Sequence, residues 1–91
     1  MENMIFEKKK ELNNLMNEIE QNLMLLDKED FDNVVLDYTS KKDAYLELIS
    51  KKDELAITDL VLSLDALIGV YKEFNEGLCA NYNLGQTCFA M

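Results

Sequence analysis

Two cysteines and one run of carboxylates are the residues whose types and spacing could carry chemistry. Cys79 and Cys88 lie nine positions apart, and the chain holds no second cysteine pair and no histidine. A zinc site needs about four ligands, which two cysteines cannot supply. A reactive thiolate needs a nearby cation or helix N-terminus to lower its pKa, and the lysines are distant from both cysteines in sequence. A disulfide requires an oxidising compartment; with no export signal in view, two free thiols are expected. The acidic run, Asp27-Lys28-Glu29-Asp30-Phe31-Asp32, raises the question of calcium. An EF-hand loop needs oxygen ligands at alternate places, glycine at the sixth and glutamate at the twelfth. Counting from Asp30, those places hold Val35 and Lys41. The calcium motif fails, and the run reads as the start of a helix.

Catalysis is not expected. Without histidine the common proton shuttle is missing, and no Ser–His or Cys–His pairing can form. No glycine-rich phosphate loop is present. Carboxylate neighbours such as Asp53 and Glu54 sit among solvated charges that would leave their acidity ordinary. The expectation is a non-enzyme with no catalytic residues, no cofactor and no metal, acting through its surface.

That surface should be helical. The 91 residues include no proline, and the three glycines all follow residue 68, too few breakers for a fold built on tight turns. The stretch from Ile57 to Leu78 organises the rest. Leu60, Leu64, Leu67, Tyr71, Phe74 and Leu78 recur at steps of four and three, which keeps them on one helix face. Ile57, Val61 and Ile68 widen the stripe to roughly 140°, enough to pack against two neighbours. Near 2–26, Ile5, Leu12, Ile19 and Leu26 recur every seven residues with Leu15, Met16 and Leu23 beside them, a coiled-coil-like seam. A second helix near 29–50 would start after Asp27, a cap residue followed by acids that suit the positive end of the helix dipole. Its apolar positions are Phe31, Val34, Val35, Tyr38, Tyr45, Leu46, Leu48 and Ile49, with Lys41 and Lys42 interrupting the stripe.

Thr39-Ser40-Lys41-Lys42-Asp43 and Ser50-Lys51-Lys52-Asp53 both carry the Ser-x-x-acid form of a helix start. The second is the better break, and would open a third helix near 53–78. The alternative is one continuous helix from Phe31 to Leu78 folded back on the first. The expected class is all-α, an antiparallel helical bundle or long helical hairpin of about three helices. The helical domain would span 1–78, ending near Gly77. Residues 79–91, with the turn-forming run Asn81-Tyr82-Asn83-Leu84-Gly85-Gln86, would form an irregular tail.

Eighteen acids stand against nine lysines, a net charge of −9. Such a surface repels nucleic acid and anionic lipid, so direct nucleic-acid binding and membrane association are not expected. Lys8, Lys9 and Lys10 are followed by Glu11, Asn13 and Asn14 rather than an apolar run, and Asp59 and Asp65 break the longest hydrophobic stretch. A cytoplasmic protein whose partner is another protein, with a homodimer possible, is the resulting expectation. Two faces are candidates. The first is the third helix, with Leu60, Leu67, Tyr71 and Phe74 on its main stripe. Leu55, Leu62 and Gly69 stand seven apart on the other side, where glycine would permit close backbone approach; scattered surface groups are the plainer reading of those three. The second is an acidic face, Glu29, Asp30, Asp32, Asp37, Asp43 and Glu47, continued by Asp53 and Glu54; its plainer reading is a solvated face.

The stretch Leu25-Leu26-Asp27-Lys28-Glu29-Asp30-Phe31, the Lys-x-x-Tyr-Leu-x-Leu-Ile run from Lys42 to Ile49, and the ending with Tyr82 and Gly85-Gln86-Thr87 resemble flagellar export chaperones of the FlgN/FliT kind. This resemblance implies a small cytoplasmic helical protein that holds export substrates by helix packing, with Leu60 to Leu78 as the substrate-binding element. In its small size, acidity and helical pattern the chain is also similar to phage-encoded inhibitors, including anti-CRISPR and other anti-defence proteins. Some of those block a nucleic-acid-binding enzyme by placing carboxylates where phosphates would lie. Salt separates the two classes, because phosphate mimicry weakens as salt rises and apolar packing does not.

Overall fold

The computed structural model describes residues 2–82. Three helices follow one another: α1 (Glu2–Met24), α2 (Lys28–Ser50) and α3 (Ile57–Tyr82), with a 3₁₀ turn at Lys52–Glu54 before α3. No strand occurs among the described residues. The protein is an all-α bundle of three helices. The continuous helix from Phe31 to Leu78 does not form, because the chain leaves the α-helix at Lys51 and turns extended at Leu55.

The breaks have local causes. After α1, the amides of Leu25 and Leu26 bond back three residues, to Asn22 and Leu23, which tightens and ends the helix. Asp27 then caps α2 as expected: its backbone is extended and its carboxylate accepts from the Asp30 amide at 2.9 Å. The two Ser-x-x-acid runs do not start helices. Thr39 and Ser40 both lie inside α2, the Thr39 hydroxyl donating to the Val35 carbonyl, and Ser50 is the last residue of α2, its hydroxyl donating to the Glu47 carbonyl. A hydroxyl in a helix has a carbonyl of the preceding turn within reach, and here that local bond wins over capping. The start of α3 is therefore Ile57 rather than 53, with the first helical bond running from the Leu60 amide to the Ala56 carbonyl.

The far end of α3 also differs from expectation. Gly77 is helical, and the helix runs on through Tyr82. Leu78 and Cys79 are buried, so the apolar face carries the helix past the glycine, and residues 79–82 are not an irregular tail. The rest of that tail lies outside the described residues.

The chain alternates direction. Contacts between α2 and α3 run in opposite order, Tyr38 with Phe74 and Lys41 with Tyr71, whereas α1 and α3 run parallel, with Lys8 beside Asp65, Glu11 beside Lys72 and Asn22 beside Asn75. Leu12, Leu15, Ile19 and Leu23 of α1 meet Leu60, Leu64, Ile68 and Leu78 of α3 in one core, and α1 packs far more extensively on α3 than α2 does on either. From α2, only Tyr38 and Tyr45 are fully buried.

Candidate functional site

Three phenols and one carboxylate organise the seam where α2 meets the other helices. The Tyr38 hydroxyl donates to Glu20 of α1, and the same carboxylate takes an ion pair from Lys42 at 3.2 Å. Tyr71 of α3 donates to the Lys41 carbonyl at 2.7 Å. Phe74 stacks on Tyr38, ring centres 6.1 Å apart, and carries the Lys41 ammonium over its other neighbourhood at 5.2 Å. The lysines that interrupt the α2 stripe are thus part of the interface: their stems lie along the helix pair and their charges reach Glu20 and Asp37. Glu20 does not stand out in the sequence, and Lys42 does so only as a break in the α2 stripe. Their signal is only that each polar residue borders an apolar stripe at the height of an aromatic on the facing helix.

This arrangement holds helices together and is unsuited to proton transfer. The Tyr38 hydroxyl, acting against partial burial and helped by Lys42, holds the Glu20 carboxyl below its ordinary value. A general acid needs the opposite shift. Burial first, then the Glu20 carboxylate, pushes the Tyr38 phenol well above its usual range; burial alone raises Tyr45; and burial with Tyr45 nearby pushes Tyr71 up to about 12. Each phenol has a folded pKa above its unfolded value near 10, so the stability from keeping it neutral is fully present below pH 10. It is lost as pH rises from there through about 12. Base titration should show phenolate absorbance rising together with loss of helical circular dichroism. Ionisation of these three phenols near pH 10 with the helices intact would contradict the burial.

The expected partner-binding residues of α3 separate into two groups. Leu60 and Tyr71 are buried at 5% and 0% exposure, and Leu67, Phe74 and Leu55 are half-buried against the core. The wide stripe of α3 is used on α1 and α2, and Leu55, in the connection before α3, also packs against the core, so these five do not form a free docking face. Leu62 is 61% exposed and Gly69 is exposed. A methyl group at Gly69 would meet nothing within 4 Å, so no close approach within this chain requires the glycine.

The acidic candidates stay outside. Glu29, Asp32, Asp37, Asp43 and Glu47 are exposed and Asp30 is half-buried. At about 100° per residue, Glu29, Asp32, Asp43 and Glu47 fall on one outer line of α2, with Asp30 and Asp37 roughly 80–100° around the side. Partial burial, with Asp27 and Glu29 adjacent, pushes the Asp30 carboxyl up. Three of the acids hold lysines of their own helix, Lys28–Asp32 at 3.4 Å, Asp37–Lys41 at 2.8 Å and Glu47–Lys51 at 3.0 Å. Such exposed pairs contribute roughly 0–1 kcal/mol and exchange readily for a partner's cation. Among the described residues no lysine pairs with Glu29 or Asp43. On the same line sits Leu36, 76% exposed. Its signal in the sequence was its position, an apolar residue in the middle of the polar arc of α2.

Cys79 is disulfide-bonded, which corrects the expectation of free thiols. The chain's one other cysteine, Cys88, lies outside the described residues. Among the described residues no cluster of three or more histidine, cysteine or acidic side chains could hold a metal ion, and no helix is long and apolar enough to cross a membrane. No protein family, curated protein or solved structure matches the chain.

Proposed function

We propose that the protein is a non-enzymatic binder of another protein, and that it docks the outer ridge of α2 on a basic surface with an apolar centre. The observation that carries this reading is Leu36, 76% exposed in line with the carboxylates of Glu29, Asp32, Asp43 and Glu47. Burying a leucine side chain stabilises a complex by about 1.5–3 kcal/mol. The surrounding acids steer encounter and reject acidic surfaces. A nucleic-acid-binding enzyme offers such a basic surface, which makes the acidic-inhibitor class the better supported of the two. Helix packing through α3 in the manner of an export chaperone is less well supported, since Leu60 and Tyr71 are spent on the core.

The test is photo-cross-linking from position 36 in extract of the native host at low and high salt. The expected result is one basic protein captured at low salt and lost as salt rises. Asp43→Lys, and Leu36→Ala with the cross-linker moved to the exposed position 40 on the same side of α2, should each weaken capture at least tenfold with the helical content unchanged. Capture untouched by both substitutions would exclude this face. Leu62 supports a second reading, in which two copies pair through the outer side of α3. Sedimentation equilibrium giving 10.5 kDa at high micromolar concentration would exclude that pairing.

A further inference from the structure

We infer that α2 is a detachable arm, which lifts off the α1–α3 pair as one body while those two helices stay packed. Its basis is independent of what binds the outer ridge. The first observation is the uneven core. α1 buries Leu12, Leu15, Ile19 and Leu23 and α3 buries Leu60, Leu64, Ile68 and Leu78, whereas α2 buries only Tyr38 and Tyr45 and leaves Leu36 and Leu46 in solvent.

The second observation is how each helix is tied. The α1–α3 pair has a continuous apolar seam, a buried bond from the Asn22 amide to the Asn75 carbonyl oxygen at 2.8 Å, and flanking ion pairs Lys8–Asp65 and Lys72–Glu11. None of these involves α2. The hydrogen bonds and ion pair of α2 to the other helices are few, Tyr38 and Lys42 to Glu20 and Tyr71 to the Lys41 carbonyl, and its apolar ties are the Tyr38–Phe74 stack and the partly buried Phe31, Val34, Leu48 and Ile49. Water competes for the polar bonds, so each contributes far less net stability than its gross strength, those to the Glu20 carboxylate somewhat more than the one to the Lys41 carbonyl. Open grooves flank α2 on both sides, ≈ 500 Å³ against α1 beside Glu20 and Tyr45 and ≈ 320 Å³ against α3 beside Lys41 and Phe74.

The third observation is that α2 carries its own helix supports. The Asp27 cap and the three i,i+4 pairs are all local to it, whereas the ion pairs of α1 and α3 among the described residues reach to other helices. Local pairs support a helix without help from a core. The connections Leu25–Asp27 and Lys51–Ala56 lie outside the α-helices and supply the two pivots. Once free, a helix loses the tertiary packing that supplies most of its stability and frays, so opening of the arm is visible to amide exchange.

Hydrogen exchange of the full chain with the disulfide intact tests this. Amides of residues 31–50 should exchange at least ten times faster than those of 12–23 and 60–78. Tyr38→Phe, which removes the tie to Glu20, should accelerate exchange in α2 by about a further threefold or more and leave α1 and α3 unchanged. Lys8→Ala, which touches only the α1–α3 pair, should leave the α2 rates unchanged. Equal protection of all three helices, or acceleration of all three together by Tyr38→Phe, would overturn the proposal.

Discussion

Leu64→Ala should unfold the protein at a far lower urea concentration, while Leu62→Ala two residues away should leave the midpoint nearly unmoved. Leu64 has 0% exposure at the centre of the α1–α3 seam, and Leu62 is 61% exposed on the opposite side of the same helix. Truncating a fully buried leucine removes its transfer free energy and leaves a cavity, together about 2.7–5 kcal/mol. A domain of this size has a total stability of about 5–14 kcal/mol, so the first substitution removes a large fraction of it. A surface truncation falls within about 0.5 kcal/mol. Comparable losses from the two substitutions would mean that α3 is rotated from the orientation described. The pair also bears on pairing of two copies, since Leu62 can serve that contact only if position 62 is outside the core.

The second large effect concerns the buried amide pair. Asn22 and Asn75 are 0% and 2% exposed and joined at 2.8 Å. Replacing Asn22 alone with alanine should cost about 1–3 kcal/mol, because it leaves the Asn75 amide buried without that bond. Replacing both with alanine should cost less than the sum of the two single losses, since the second substitution removes a group that has already lost that bond. Urea unfolding of the two single variants and the double variant gives the coupling directly. Additive losses would show that the two amides act independently. Asn22 falls at one of the inward positions of the seven-residue repeat of Ile5, Leu12, Ile19 and Leu26, next to Leu23. A buried polar residue at such a position favours one axial alignment of a helix pair over slipped ones.

How much of this was written in the chain can be traced element by element. The all-α class followed from the absence of proline, the late glycines and the three- and four-residue spacing from Leu60 to Leu78, and the structure has three helices. Asp27 was legible as a cap because capping is local: the carboxylate and the Asp30 amide it accepts from are three residues apart. The second break was legible only in place. Ser50-Lys51-Lys52-Asp53 marks where α2 ends, but the motif could not reveal that Ser50 bonds backward to Glu47. Gly77 misled for a related reason. Its lack of a side chain permits a helix end without enforcing one, and burial of Leu78 and Cys79 decided that α3 continues.

The surface was less legible than the fold. Periodicity told that Leu60, Leu67, Tyr71 and Phe74 share a face, but a shared apolar face looks the same whether it meets its own core or a partner. Only the docking of α1 and α2 assigned Leu60 and Tyr71 to the interior. The opposite holds for Leu36, whose isolation on the polar arc became meaningful once α2 was seen with that arc outward. Glu20, Lys42, Asn22 and Asn75 were beyond reach for a further reason. Each owes its role to a residue on another helix, between 18 and 53 positions away. Local spacing sets which residues share a helix face. Tertiary packing alone decides which polar groups meet across faces, because that depends on the axial offset of the helices, which connections as loose as Leu25–Asp27 and Lys51–Ala56 do not specify.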